Sequence, residues 1–468
     1  MTTDELRAAA RELTGLHRRF APLFGRPEAQ EHSRVYLNGL LMSDKGKSVE
    51  PIALYFEDDE RDRKEVLAMQ RFLTVSPWEG RDVQREIQAV FAERLVPSTS
   101  QWGLGTVGVI DESGFVKRGT ESVGVKRQWC GRLGKKENCQ VGVFLVGVTP
   151  SGSALLDHQL YLPDEWAHDK ERRKKARVPE EIGFETKPQI AVDLLRRTRA
   201  NGLVPFDWIT ADELYGRNGK FRESLEADGQ RYLVEVPVTT TVWTVDPATQ
   251  VPPYSGRGRP PKHPTRDAVR SVKEIAETLP GEAWQMLKLR EGSKGPLVFE
   301  FARLPVWVVQ DGRPSPPLWL VLRRNLEPKA EVKYYLSNAD RETPLETMAM
   351  VSGTRWRVEE YFEDGKSDLG MADYQARAWT SWHHHMSLVA LAHLHVTLTR
   401  QTLKKKSPEL TLDMALRLLK EVLPRPQLDE SDAIRIVDYY TKYNGIAHDS
   451  HRKSWLQRHK RAKRKLML

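Results

Sequence analysis

Apolar positions keep a helical phase over the first hundred residues. Leu6, Leu13, Leu16 and Phe20 share one face, and Val66–Leu73 and Val83–Leu95 show the same spacing. Short turns at Gly25-Arg-Pro27 and Pro77-Trp-Glu-Gly80 interrupt them, so residues 1–100 read as a helical domain, expected to bind DNA, with packing on the core as the alternative. The period then changes. Trp102–Asp111 is a β-prone run that ends in an acid and is followed by a turn at Glu112-Ser-Gly114. Val123–Trp129, Gln140–Val148 and Ala154–Leu162 supply three further strands, which in quick succession predict an antiparallel meander. Ile190–Ala200 returns to helical spacing and stops at Asn201-Gly202. Phe206–Asp212 is a second short apolar strand ending in Asp, before a helix at Phe221–Ala227 and a strand at Arg231–Pro237. Residues 101–237 therefore predict a mixed α/β sheet with helices on its faces.

Residues 238–340 break this rhythm with Pro and Gly clusters, four tryptophans and strand-like runs such as Phe299–Val309. They predict a β-rich insertion. Helical order resumes at Thr343-Pro-Leu-Glu346, which has the form of a capping box with Pro at the first helical position. Residues 341–400 complete the core, with the apolar stretch Trp382–Leu398 as a buried helix. Residues 401–468 form a helical, basic C-terminal region, whose last eighteen residues carry eight Lys or Arg and no acid.

Composition narrows the class. A net charge of +9 favours a polyanionic partner. Two cysteines, Cys130 and Cys139, are too few for a disulfide framework and fit a reducing cytoplasm. No apolar run reaches the ~18 residues of a membrane span, and Met1-Thr-Thr-Asp-Glu5 lacks the form of a signal peptide. The expectation is a basic cytoplasmic protein with no membrane partner.

Candidate chemistry centres on Thr354–Lys366. At about 100° per residue, Arg355, Glu359 and Lys366 fall at about 0°, 40° and 20°, on one face. Such a stripe suits a carboxylate that holds a metal while the cations hold phosphates beside it. Asp111 and Asp212, each read at the end of an apolar strand, complete a set of three acids. Hard oxygen ligands suit two Mg²⁺ ions, with Mn²⁺ as a substitute. The rival reading of the stripe is a solvated helix face held by ion pairs.

Several basic segments are candidate DNA contacts. Gly256-Arg-Gly-Arg-Pro-Pro-Lys262 resembles an AT-hook, in which Arg257, Arg259 and Lys262 would lie along an A·T minor groove. Lys174 and Lys175, in the run Lys170–Arg177, would meet the DNA backbone. In His383-His-His385, adjacent side chains on a helix diverge by about 100°, which disfavours a metal site. His383 reads instead as a helix-start cap or phosphate contact. Cys130 and Cys139 face each other across a hairpin without a second Cys pair. Packing, or a DNA-facing turn around Lys135-Lys136, accounts for them better than zinc does.

These motifs together resemble the DDE transposases of bacterial insertion sequences. The resemblance lies with the cut-and-paste group whose ribonuclease-H-like core carries a β-rich insertion before its catalytic glutamate. That group's signature is Tyr, Arg, Glu and Lys at spacings of three, four and seven. Here the positions are Ser352, Arg355, Glu359 and Lys366, so Ser replaces Tyr. Val109–Ser113, Thr210–Gly216, Gln128–Gly131 with Asn138–Gln140, and Tyr374–Trp379 with Trp382-His383 extend the likeness over residues 30–400. The resemblance implies Mg²⁺-dependent DNA cleavage and strand transfer by Asp111, Asp212 and Glu359, with Arg355 and Lys366 on phosphates. It also implies double-stranded DNA partners (terminal inverted repeats and target), a homodimer in the synaptic complex, and work at the bacterial nucleoid. A ribonuclease-H-like nuclease or resolvase and a catalytically retired DNA-binding regulator are the alternatives.

Overall fold

A computed structural model describes residues 2–459 except 45, 57–61, 248–253, 261–268, 293–294, 311–312, 327–330, 405–408 and 424–427. Lys262 and the end of the basic tail lie outside the described residues.

Five helices come first: α1 (Thr3–Phe20), α2 (Pro27–Met42), α3 (Val49–Phe56), α4 (Asp62–Thr74) and α5 (Gly80–Arg94). Thr2 and Glu5 close a capping box at the start of α1. Four strands follow, β1 (Val107–Val116), β2 (Lys126–Cys130), β3 (Lys135–Thr149) and β4 (Gly152–Leu160). Then come α6 (Asp164–His168), α7 (Lys170–Ala176), α8 (Lys187–Ala200), β5 (Trp208–Ala211), α9 (Glu213–Gly216), α10 (Gly219–Ala227) and β6 (Tyr232–Val236). The stop expected at Asn201-Gly202 is present, with Asn201 as C-cap and Gly202 at φ 67°.

β3 pairs antiparallel with β1 on one side and with both β2 and β4 on the other. β5 and β6 continue the sheet parallel to β1. The order β4-β3-β1-β5-β6, three antiparallel strands and then two parallel ones, is that of a ribonuclease-H-like core.

The strand-rich region holds β7 (Thr241–Trp243), β8 (Val269–Ser271), α11 (Val272–Thr278), β9 (Gln285–Gly292), β10 (Gly295–Val306), β11 (Val309–Gln310), β12 (Arg313–Pro314), β13 (Leu318–Arg324) and β14 (Val332–Ser337). Its principal strands extend the same sheet through β6-β14-β13-β10-β9. The helices α12 (Leu345–Ser352), α13 (Trp356–Asp368), α14 (Trp379–Lys404), α15 (Leu412–Val422) and α16 (Glu430–Arg458) complete the chain. α14 is buried along almost all of its length, between β4 on one side and α1, α2, α4 and α5 on the other. One apolar cluster joins these N-terminal helices to the sheet through α14. No helix among the described residues is long and apolar enough to cross a membrane.

Two local expectations are corrected. β1 does not end at Asp111, because Glu112, Ser113 and Gly114 stay in register with Val143, Gly142 and Val141 of β3. Gly114 permits this: a Cβ there would meet Cys130 Sγ at 2.9 Å. The capping box at Thr343–Glu346 does not form. Pro344 is the N-cap of α12 and has no side chain to bond, and Glu346 instead accepts from Gln285 Nε2 at 2.7 Å.

Candidate active site

β1 and β5 are parallel neighbours with Ile110 opposite Ala211, so the next step of the register carries Asp111 and Asp212. Each aspartate is anchored by a backbone amide. Asp111 Oδ1 accepts from Glu112 N at 2.7 Å, and Asp212 Oδ1 accepts from Leu214 N at 2.9 Å as the N-cap of α9. The third acid comes from α13, on the other wall of a cleft of about 800 Å³ lined by all three.

Arg355, at the N-cap of α13, reaches into this cleft. Its Nη1 lies 3.4 Å from Asp111 Oδ2, its Nε lies 3.9 Å from Glu235 Oε2, and its Nη2 pairs with Glu359. Lys366 Nζ donates to Ser113 Oγ at 2.7 Å and to Gly114 O at 3.1 Å, beside the acids rather than on them. The side chain of Glu359 is 56% exposed and that of Asp111 14%. Among the described residues, no three acidic, His or Cys side chains stand close enough to hold one ion together. The structure thus brings Asp111 and Asp212 together, and places Glu359 on the same cleft with its carboxylate turned to Arg355.

The electrostatics of the pair follow from burial. Asp111 is raised well above the usual carboxylate range by desolvation and by the charges of Asp212 and Glu112. Asp212 is raised to about 6 by desolvation and by Glu112. Two adjacent buried carboxylates repel unless a cation lies between or beside them, and Arg355 supplies only one positive charge. An all-oxygen, electron-rich donor set of this kind fits a hard divalent ion.

Two further acids of the cleft escape the pattern reading. Glu112 pairs with Lys187 at 2.8 Å, and Glu235 pairs with Lys333 at 2.6 Å. Glu112 was hidden by the turn expected there. Glu235 carried a usable signal, a single charge inside the apolar strand Tyr232–Val236.

The other candidates lie elsewhere. Ser352 is buried and spends its hydroxyl on Ala349 O at 2.7 Å. Lys174 and Lys175 are exposed on α7, and Lys175 pairs with Glu121. Arg257 and Arg259 are exposed in an irregular segment. The expectation for His383 is corrected. It sits a full turn inside α14, its Nδ1 is shared with Trp379 O at 3.0 Å, and its ring stacks on His158. Burial holds its pKa well below 6.5, so it carries no charge to offer a phosphate, and it lines a different cavity.

Residues 19–296 match the DDE superfamily endonuclease family, and the chain belongs to it. That span includes Asp111 and Asp212 and ends before Glu359. Among curated relatives, the chain is similar to a protein of Microchaete diplosiphon described as "Probable transposase for insertion sequence element IS701". The two are 32% identical over 171 residues, 36% of this chain and 40% of that protein. The chain therefore spans well under half the length of the curated relative it matches.

Proposed function

We propose that this endonuclease is an insertion-sequence transposase that cuts double-stranded DNA at its element's ends and joins the freed 3′-hydroxyls to target DNA. The observation that carries this reading is the register of Asp111 and Asp212 on parallel neighbours, with Glu359, Arg355 and Lys366 facing them from α13. Asp111, Asp212 and Glu359 would hold two Mg²⁺ ions, or Mn²⁺ in their place. When bound, such ions activate the attacking oxygen and stabilise the leaving one.

The protein's own part is positional. Amide bonds to Asp111 and Asp212 fix both carboxylates on rigid elements. Arg355 exchanges a carboxylate for a phosphate oxygen, and Lys366 lies one side chain away to hold a second. In the first step water attacks the terminal phosphodiester and the 3′-oxygen leaves as a hydroxyl. In the second, that hydroxyl attacks a target phosphodiester and the target's own 3′-oxygen leaves. Two ends processed together call for two copies of the chain, a homodimer on the paired terminal repeats.

Co-incubation of the protein with DNA carrying its flanking element ends, Mg²⁺ and a supercoiled target plasmid tests the reading. Nicked ends together with joined product are expected. Nicking without joined product would indicate a plain nuclease, and neither product with binding intact would indicate a regulator.

A further inference from the structure

The paired motifs Gln128–Gly131 and Asn138–Gln140 sit on β2 and β3 at the rim of the acid cleft, and all but one of their larger side chains are used within the fold. Gln128 Nε2 donates to Cys139 O at 2.9 Å. Asn138 Nδ2 donates to Lys117 O at 2.7 Å and Gly119 O at 2.8 Å. Gln140 donates to Val123 O at 2.6 Å and accepts from Tyr374 Oη at 2.7 Å. Cys130 and Cys139 are fully buried, and Cys130 lies against Gly114 of β1. This frame fixes β2 to the strand that carries Asp111.

Trp129 is the exception. It is 57% exposed, and among the described residues no hydrogen bond or ring contact engages its indole. A single exposed apolar side chain is ordinary on a protein surface, so what marks this one is its place. It lines the same cleft as Asp111, Asp212 and Glu359. Its strand alternates so that Arg127 shares its exposed face, and Lys136 is its cross-strand partner on β3. The result is one aromatic plane among cations, beside a carboxylate pair. Protein-docking patches are contiguous and apolar, whereas an aromatic plane between cations is how proteins hold an unpaired nucleotide.

We propose that Trp129 stacks on an unpaired base of the DNA strand held in the cleft, next to the phosphate being cut, while Arg127 and Lys136 follow that strand's backbone. This rests on the DNA-processing role proposed above and adds a requirement to it. Base faces inside a duplex are covered by their neighbours, so Trp129 gains its contact only where the strand has opened.

The test is fluorescence anisotropy of the full chain on three labelled probes: a fully paired duplex, the same duplex with a short unpaired thymine arm, and that arm made abasic. For the wild type, the arm with bases should bind about tenfold more tightly than the abasic arm. Trp129→Ala should lose that factor on the base-bearing arm and bind the other two probes like the wild type, and Trp129→Phe should keep most of it. Equal loss on all three probes, or no loss on the base-bearing arm, overturns the stacking contact. Equal binding of the two arms by the wild type also overturns it, and where Trp129→Ala fails to fold, Trp129→Leu takes its place and should lose the same factor. Wild-type protein that binds none of the probes overturns the DNA-processing reading itself, and this inference with it.

Discussion

Arg355 Nη1 stands 3.4 Å from Asp111 Oδ2, so a cation at the start of α13 faces a carboxylate in the middle of β1. The same guanidinium also meets Glu359 of its own helix and Glu235 of β6. One positive charge therefore serves acids from three elements. Burial first, and then the charges of neighbouring acids, make both aspartates hold their protons more tightly. On the function proposed above, the site's residues divide into those that would hold added cations and those that would hold phosphates.

Asp111→Asn, Asp212→Asn and Glu359→Gln should each abolish cleavage and leave DNA affinity within about twofold, since no phosphate contact is removed. Melting gives a second readout. Millimolar Mg²⁺ should raise the melting temperature of the wild type, because a ligand of the folded state stabilises it. The two Asn variants should lose that rise, and without Mg²⁺ should melt above the wild type at pH 7.5 because their repulsion is gone. Wild-type cleavage by any one variant would remove that residue from the site.

For the cations, Lys366→Ala and Arg355→Ala should slow cleavage, each losing a charged hydrogen bond to phosphate of about 1.5–3 kcal/mol. They should differ in what else they disturb. Lys366 Nζ bonds a hydroxyl and a carbonyl and lies over the Phe115 and Phe362 rings, so its removal should lower melting less than removal of Arg355. Arg355→Ala should lower melting at pH 7.5 without Mg²⁺, because it uncovers Asp111. Arg355→Lys should recover the melting but little of the rate, since an ammonium cannot fork between two oxygens. If both Ala variants unfold, the two residues are structural ion-pair partners instead.

The legible parts of this chain are those fixed by local rules. Trp382–Leu398 reads as a buried helix because apolar residues fall on every side of it, and it is the middle of α14. Asp212 reads as a strand end because Trp208–Ala211 is short and a helix follows at once. Asp111 does not lie where the pattern puts it: Glu112-Ser-Gly114 looks like a turn, yet it stays paired because β3 covers it and Gly114 lets Cys130 approach. The helical stripe of Arg355, Glu359 and Lys366 gives the right helix but not the pairing of Arg355 with Asp111 and Glu235. Those partners lie more than a hundred residues away in sequence. Glu112 is hidden by the same apparent turn, whereas Glu235 is legible as a lone charge in an apolar strand and only its partners come from elements meeting in space. His383 misled because a histidine run looks surface-like, whereas tertiary contacts bury all three rings, leaving only His383 with a partly exposed edge.

The buried histidines make the fold acid-sensitive. Burial holds His158, His385 and His395 down to about 3 and His384 to about 4. The unfolded chain thus takes up protons below about pH 6.5 that the folded chain refuses, and stability present above that pH is lost as pH falls toward 4. His395 is the cleanest test, because neither ring nitrogen has a hydrogen-bond partner among the described residues. His395→Leu should stabilise by about 1–3 kcal/mol at pH 7.5 by removing buried unpaired polar atoms. It should also flatten the fall of melting temperature between pH 6.5 and 4.5. An unchanged slope would show that His395 is not among the groups that take up protons.

Arg257 and Arg259 are exposed, in a segment held only by the Tyr254 hydroxyl on Gly258 O at 2.8 Å among the described residues, as a groove-entering arm requires. A minor groove offers width and negative potential rather than distinct base edges, since it shows little beyond A·T versus G·C. Replacing both arginines with Ala should then weaken binding most on A·T-rich DNA. The salt slope should become shallower by about two phosphate equivalents at most, because each Arg displaces at most one counterion. A solvated loop predicts no change in either quantity, and a plain phosphate clamp predicts equal losses on A·T-rich and G·C-rich duplexes. Binding isotherms on the two duplexes at several salt concentrations separate the three cases, and an equal loss on both ends the minor-groove assignment.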